Sequence, residues 1–134
     1  MKQISLIFFI SLLLTGVANS QTGYFNTGNK SSDPTIEWEE TMHDFGKVPK
    51  GKPASVVFKF KNTSLKPVLI YNVEASCDCT AADYPKQPVK PGETAKITAT
   101  YDAEKAGAFF KSITVTTNTK EKQHILKMTG VVVD

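Results

Sequence analysis

An all-β fold, an antiparallel sandwich of seven to eight strands, follows from three features of this 134-residue sequence. Apolar residues recur at every second position in several short runs, the period of a half-buried strand. Turn-forming clusters separate the runs: Pro49-Lys50-Gly51, Asn62-Thr63-Ser64, Lys90-Pro91-Gly92-Glu93 and Asn118-Thr119-Lys120. No stretch sustains the period of a helix.

Two segments precede the strands. Met1 and Lys2 give a short positive start, residues 4–14 are apolar except for Ser5 and Ser11, and Ala18 and Ser20 are small. This is the pattern of a secretory signal over residues 1–20, cleaved after Ser20. The apolar run is short for a bilayer span, and no second run approaches that length, so no membrane span is expected after cleavage. No Cys lies near the cleavage point to carry a lipid. Residues 21–34 (QTGYFNTGNKSSDP) hold few apolar groups to offset the entropy of ordering, and read as a flexible leader. The domain is expected over residues 35–134.

The strands follow in order. Residues 35–39 place Ile36 and Trp38 on one face, and residues 43–48 form a second short piece. In residues 54–61, Val56, Phe58 and Phe60 share one face while Val57, Lys59 and Lys61 share the other. Residues 68–73 are apolar on both faces at their start, the mark of a central strand. Pro91-Gly92 suits the central positions of a type II turn, with φ > 0 at Gly92. Beyond it, Ala95, Ile97, Ala99 and Tyr101 alternate with Lys96, Thr98 and Thr100. A run opening at Gly107 alternates Ile113 and Val115 with Ser112, Thr114 and Thr116. Residues 124–133 close the chain, and Gly130 within them signals a bulge. Phe58, Phe60, Ile97, Ala99, Tyr101, Ile113 and Val115 are the expected core. Strand number and spacing point to a sandwich of immunoglobulin type, with a closed barrel as the structural alternative.

Composition removes several function classes. The net charge is +3 and every basic residue is Lys, scattered, with no Arg for bidentate phosphate contacts, so nucleic acid is not an expected partner. There is no Gly-x-Ser-x-Gly and no His-Glu-x-x-His. Glu37, Glu39 and Glu40 read as a solvated face. Asn29-Lys30-Ser31 and Asn62-Thr63-Ser64 match the glycosylation sequon, a three-residue pattern that is expected here by chance. A lone Trp38 gives little aromatic platform for a polysaccharide.

Cys77-Asp78-Cys79 is the one unusual constellation. On a straight strand two such Cα atoms stand about 6.6 Å apart. A disulfide wants its Cβ atoms about 4 Å apart, so bridging needs a turn or bulge. Three readings stay open: two packed thiols, a small-ring disulfide, and a redox dithiol or soft-metal clamp. Zinc needs two further ligands, and His43, His124, Met42 and Met128 lie at no recognised spacing from the pair. No metal or other cofactor is expected. The Asp78 carboxylate disfavours a neighbouring thiolate.

His43-Asp44-Phe45-Gly46, Phe58-Lys59-Phe60-Lys61-Asn62, Ser76-Cys77-Asp78-Cys79-Thr80, Pro91-Gly92-Glu93, residues 107–115 (GAFFKSITV), Thr117-Asn118 and Gly130-Val131-Val132 occur in that order. Together they resemble the domain of unknown function 1573 family of secreted bacterial proteins, over residues 36–132. The resemblance implies an immunoglobulin-like sandwich similar to major-sperm-protein and PapD domains, and export; it supplies no catalytic residues. The family's central motif more often reads Cys-Gly-Cys, so Asp78 makes a tight turn there harder to form. The expected function is that of a secreted or periplasmic binding or structural module without catalytic activity. Its partner would be an envelope protein or a polysaccharide, met through sheet faces and edges. The alternative is a thiol redox or soft-metal protein working through Cys77 and Cys79.

Overall fold

A computed structural model describes residues 33–134. The signal reading of residues 1–20, nearly all of the leader and the Asn29 sequon lie outside the described residues. Pro34, at the end of the leader, is buried, and the Lys120 N–H donates to its carbonyl at 3.2 Å.

Among the described residues, eight strands make two four-stranded sheets: β1 (Ile36–Trp38), β2 (Met42–Pro49), β3 (Ala54–Asn62), β4 (Ile70–Ala75), β5 (Thr80–Asp83), β6 (Thr94–Tyr101), β7 (Gly107–Thr117) and β8 (Gln123–Val133). One sheet runs β1-β3-β6-β5 and the other β2-β8-β7-β4. The sheets are separate, so the fold is the sandwich and not the barrel. Among the described residues no helix is long and apolar enough to cross a membrane.

The alternating positions fill the space between the sheets. Phe58, Phe60, Ile97, Ala99, Ile113 and Val115 are fully buried, and Tyr101 nearly so. Beside Ile113 and Val115 of β7, the neighbouring strand β8 adds Leu126 and Met128. In-register pairing sets Phe58 opposite Ile97 and Phe60 opposite Ala95, large against smaller side chains.

Four features differ from the sequence reading. β2 and β8 pair in parallel, so the second sheet is mixed rather than purely antiparallel; alternation in a sequence carries no strand direction. Strand β4 begins at Ile70 and lies at a sheet edge, not in the centre. The apolar Val68 is buried by an isolated bridge to Val89 instead. Strand β5 is short and Ala-rich and carries no periodic signal. Finally, the bulge is opposite Gly130 rather than at it. Asp44 pairs with Thr129 and Lys47 with Val131, so Phe45 and Gly46 together face the single Gly130. A Cβ on Gly130 would meet the Phe109 ring at 2.8 Å, and Gly is needed there for that close approach.

Candidate functional site

Two features at the β5 side of the sandwich stand out. The first is the edge of β6. All eight β6 residues pair with β3, but β5 covers only Thr98–Tyr101. In an antiparallel ladder both polar groups of a residue point to the same neighbour, and alternate residues serve opposite neighbours. The Asp102 N–H donates to the Cys79 carbonyl, which sets the parity on the β5 side. Stepping back by twos along β6, Thr100 and Thr98 meet Ala81 and Asp83, and Lys96 and Thr94 come next. The N–H and C=O groups of Thr94 and Lys96 therefore face outward, and β5 does not reach them.

Local sequence explains the stop. Continuing the register would set Pro85 opposite Lys96, and proline has no N–H to donate. The chain leaves the sheet at Tyr84, and Val89 returns it to pair with Val68. Lys90-Pro91-Gly92-Glu93 then turns it into β6, closed by the Glu93 N–H donating to the Lys90 carbonyl at 3.0 Å. Gly92 has φ +79°, as a type II turn requires. Between the detour and β6 lies a groove of about 520 Å³, walled by Tyr84, Pro85 and Pro88 on one side and Thr94 and Lys96 on the other. Lys86 sits over the Tyr84 ring, its Nζ 3.2 Å from the centroid. The detour is anchored by Asn62, which is fully buried. Its amide donates to the Lys66 and Val89 carbonyls, both at 2.8 Å, while its Oδ1 accepts from the Ser64 N–H and hydroxyl. A buried, fully bonded Asn62 is no glycosylation acceptor.

The second feature is the Cys pair. Residues 76–79 carry the chain from β4 in one sheet to β5 in the other. Cys77 and Cys79 are joined as a disulfide with Cα atoms 5.2 Å apart, closer than a straight strand allows. The bond sets aside two packed free thiols, and a disulfide is also the oxidised form of a redox dithiol. Asp78 is not at positive φ; Ala103 is the lone non-glycine there among the described residues, so the turn forms without a left-handed residue between the cysteines. Both cysteines are partly exposed.

The other candidates do not converge on the pair. Met42 and His43 lie on β2, the opposite edge of its sheet from β4. His43 stacks edge-on against Phe45 and pairs with Glu40 at 3.3 Å. Met128 is core. His124 lies 2.9 Å from the Thr119 hydroxyl and 3.3 Å from that of Thr117. Burial lowers its pKa from the ordinary 6.5, against the opposing charge of Glu121 and a backbone hydrogen bond there. Among the described residues no three His, Cys, Asp or Glu side chains gather as a metal site would need. Glu37, Glu39 and Glu40 are exposed, and Glu39 pairs with Lys59 at 3.9 Å. Trp38 packs on Phe60, ring centroids 4.9 Å apart, which turns its ring toward the core.

Over residues 36–132 the sequence matches one family model, described as protein of unknown function (DUF1573). The chain belongs to that family. No curated protein matches it in sequence. A DUF1573 sandwich has clear structural counterparts. A protein of unknown function from Porphyromonas gingivalis W83 is 17% identical with TM-score 0.66, over 74% of this chain and 47% of that one. The ASH/PapD-like domain 7 of human CEP192 is 10% identical with TM-score 0.62, over 76% of this chain and 87% of that one. The Vibrio cholerae VesB protease is 12% identical with TM-score 0.62, over 75% of this chain and 32% of that one. The chain thus spans about half of the Porphyromonas protein and a third of the protease. At these identities the likeness is one of fold.

Proposed function

We propose that this DUF1573 protein is an exported binding module that takes an extended segment of a partner polypeptide against the open half of β6. One observation carries the reading: Thr94 and Lys96, in a strand fully paired on its other side, present their backbone donors and acceptors to a groove that β5 leaves empty. Such an edge is a template for one more strand, in which main-chain hydrogen bonds supply affinity and side-chain pockets supply selectivity. Tyr84, Pro85 and Pro88 offer apolar walls for side chains of the added strand. A polypeptide fits better than a polysaccharide, because what is exposed is backbone rather than an aromatic face. The module needs no catalytic group, and the export signal over residues 1–20 would deliver it to the periplasm or beyond.

The test is a peptide selected by display against the protein, measured on the Thr94→Pro variant. Thr94 is the first residue of its strand, where proline is tolerated, and its N–H points away from β3. The variant should keep its unfolding midpoint and bind at least several-fold more weakly. Unchanged affinity in a folded variant would remove the β6 edge as the contact. A protein that starts at Met1 rather than Gln21 when recovered from its host would remove the export part of the reading.

A further inference from the structure

The Cys77–Cys79 disulfide crosslinks nothing beyond its own turn, and the corner it occupies is held without it. The Ser76 N–H donates to the Ser112 carbonyl at 2.9 Å, and the Ser112 N–H donates to Ser76 Oγ at 3.1 Å. The Thr80 N–H donates to the Cys77 carbonyl at 3.2 Å, and the Asp102 N–H to the Cys79 carbonyl at 3.0 Å. One residue separates the cysteines, so the bridge removes little freedom from the unfolded chain. A disulfide resists reduction in the folded state only by as much as it stabilises that state. This fold therefore has little preference between the oxidised and reduced pair. Both cysteines lie where the chain switches sheets, and both residues are partly exposed. The buried Thr80 brings its Oγ1 to 3.6 Å from Cys77 Sγ and 4.0 Å from Cys79 Sγ. From there its hydroxyl can donate to whichever sulfur departs as thiolate.

We propose that Cys77 and Cys79 form an exchangeable two-electron redox pair, reducible by an external dithiol without unfolding of the sandwich. A thiolate of the dithiol attacks one cysteine sulfur. The Cys77–Cys79 bond breaks, a mixed disulfide forms and the other cysteine leaves as thiolate. The second thiol of the dithiol, deprotonated, then attacks its own sulfur in the mixed disulfide. The dithiol departs as a disulfide, the first cysteine is released, and the dithiol's two protons end on Cys77 and Cys79. The protein gains two electrons and the dithiol loses two. The pair accepts electrons independently of any peptide on β6.

The full chain is equilibrated with graded ratios of reduced to oxidised dithiothreitol, folded in buffer and unfolded in urea. Alkylation and mass measurement count the free thiols, and near-UV circular dichroism follows the fold. Folded and unfolded chains should reach half reduction at ratios differing by less than about a hundredfold, below what a loop of about 15 residues would produce. The near-UV signal should persist. A larger resistance of the folded chain, or loss of that signal as thiols appear, overturns the proposal.

Discussion

His124 shows what burial does to one titrating side chain in this fold. It lies at the start of β8, its ring centroid 5.9 Å from that of Trp38 and its Nε2 on two threonine hydroxyls. Burial disfavours its charged form, and Glu121 only partly offsets that. The folded protein thus takes up this proton at lower pH than the unfolded chain does. His124 contributes fully to stability above 6.5, and that contribution is lost as pH falls through the folded value. The urea midpoint should therefore drop between about pH 7 and about pH 5, and His124→Gln should flatten the drop. An equal drop in the variant would assign the effect to other groups. Nothing in the sequence marked this residue apart from its being one of two histidines; its threonine partners come together only through the turn joining β7 and β8.

At the scale of elements, alternation and turn chemistry were the legible signals. Val56, Phe58 and Phe60 declared β3, and Ala95, Ile97, Ala99 and Tyr101 declared β6, because each strand buries one face. Strand β5 was not legible, since Thr80, Ala81, Ala82 and Asp83 carry no large apolar side chain to bury. Val68 and Leu69 suggested a central strand, but Val68 reaches the core through a single bridge to Val89 while Leu69 is partly exposed. Of the two site features, the cysteine pair was visible in the sequence and its state was not. The open half of β6 depends on where β5 stops. The visible sign was Pro85, whose meaning needs the register with Lys96. The turn that delivers the chain to β6 was legible from Pro91-Gly92. With φ +79° at Gly92 and open space around it, conformation alone limits replacement there. Gly92→Val should lower the unfolding midpoint clearly more than Gly92→Asn, because asparagine tolerates left-handed φ and a β-branched residue does not. Equal effects would mean that this turn does not require the left-handed backbone.

For the whole molecule, the sandwich keeps its edges short or interrupted, as isolated sheets must to avoid pairing with other chains. β1 has three residues and β5 four, while β2 carries a bulge and ends in Pro49. β3 is likewise uncovered at Ser55 and Val57, beyond the reach of β1, but the open half of β6 is the one beside the groove walled by Tyr84, Pro85 and Pro88, and it is backed by a core that holds Phe58 and Phe60 fully buried. Emptying either ring site should cost about 3–5 kcal/mol of stability, so β6 lies on a well-packed core. Its half-open edge is the claim on which the binding reading stands. Residue-resolved amide hydrogen exchange along β6, with and without a display-selected peptide, tests it most directly. In the free protein the Thr94 and Lys96 amides should exchange fast while Ala95 and Ile97, bonded to β3, exchange slowly. The peptide should then protect Thr94 and Lys96 and leave Ala95 and Ile97 unchanged. Slow exchange at Thr94 and Lys96 in the free protein, or protection by the peptide elsewhere on the sandwich, would contradict it.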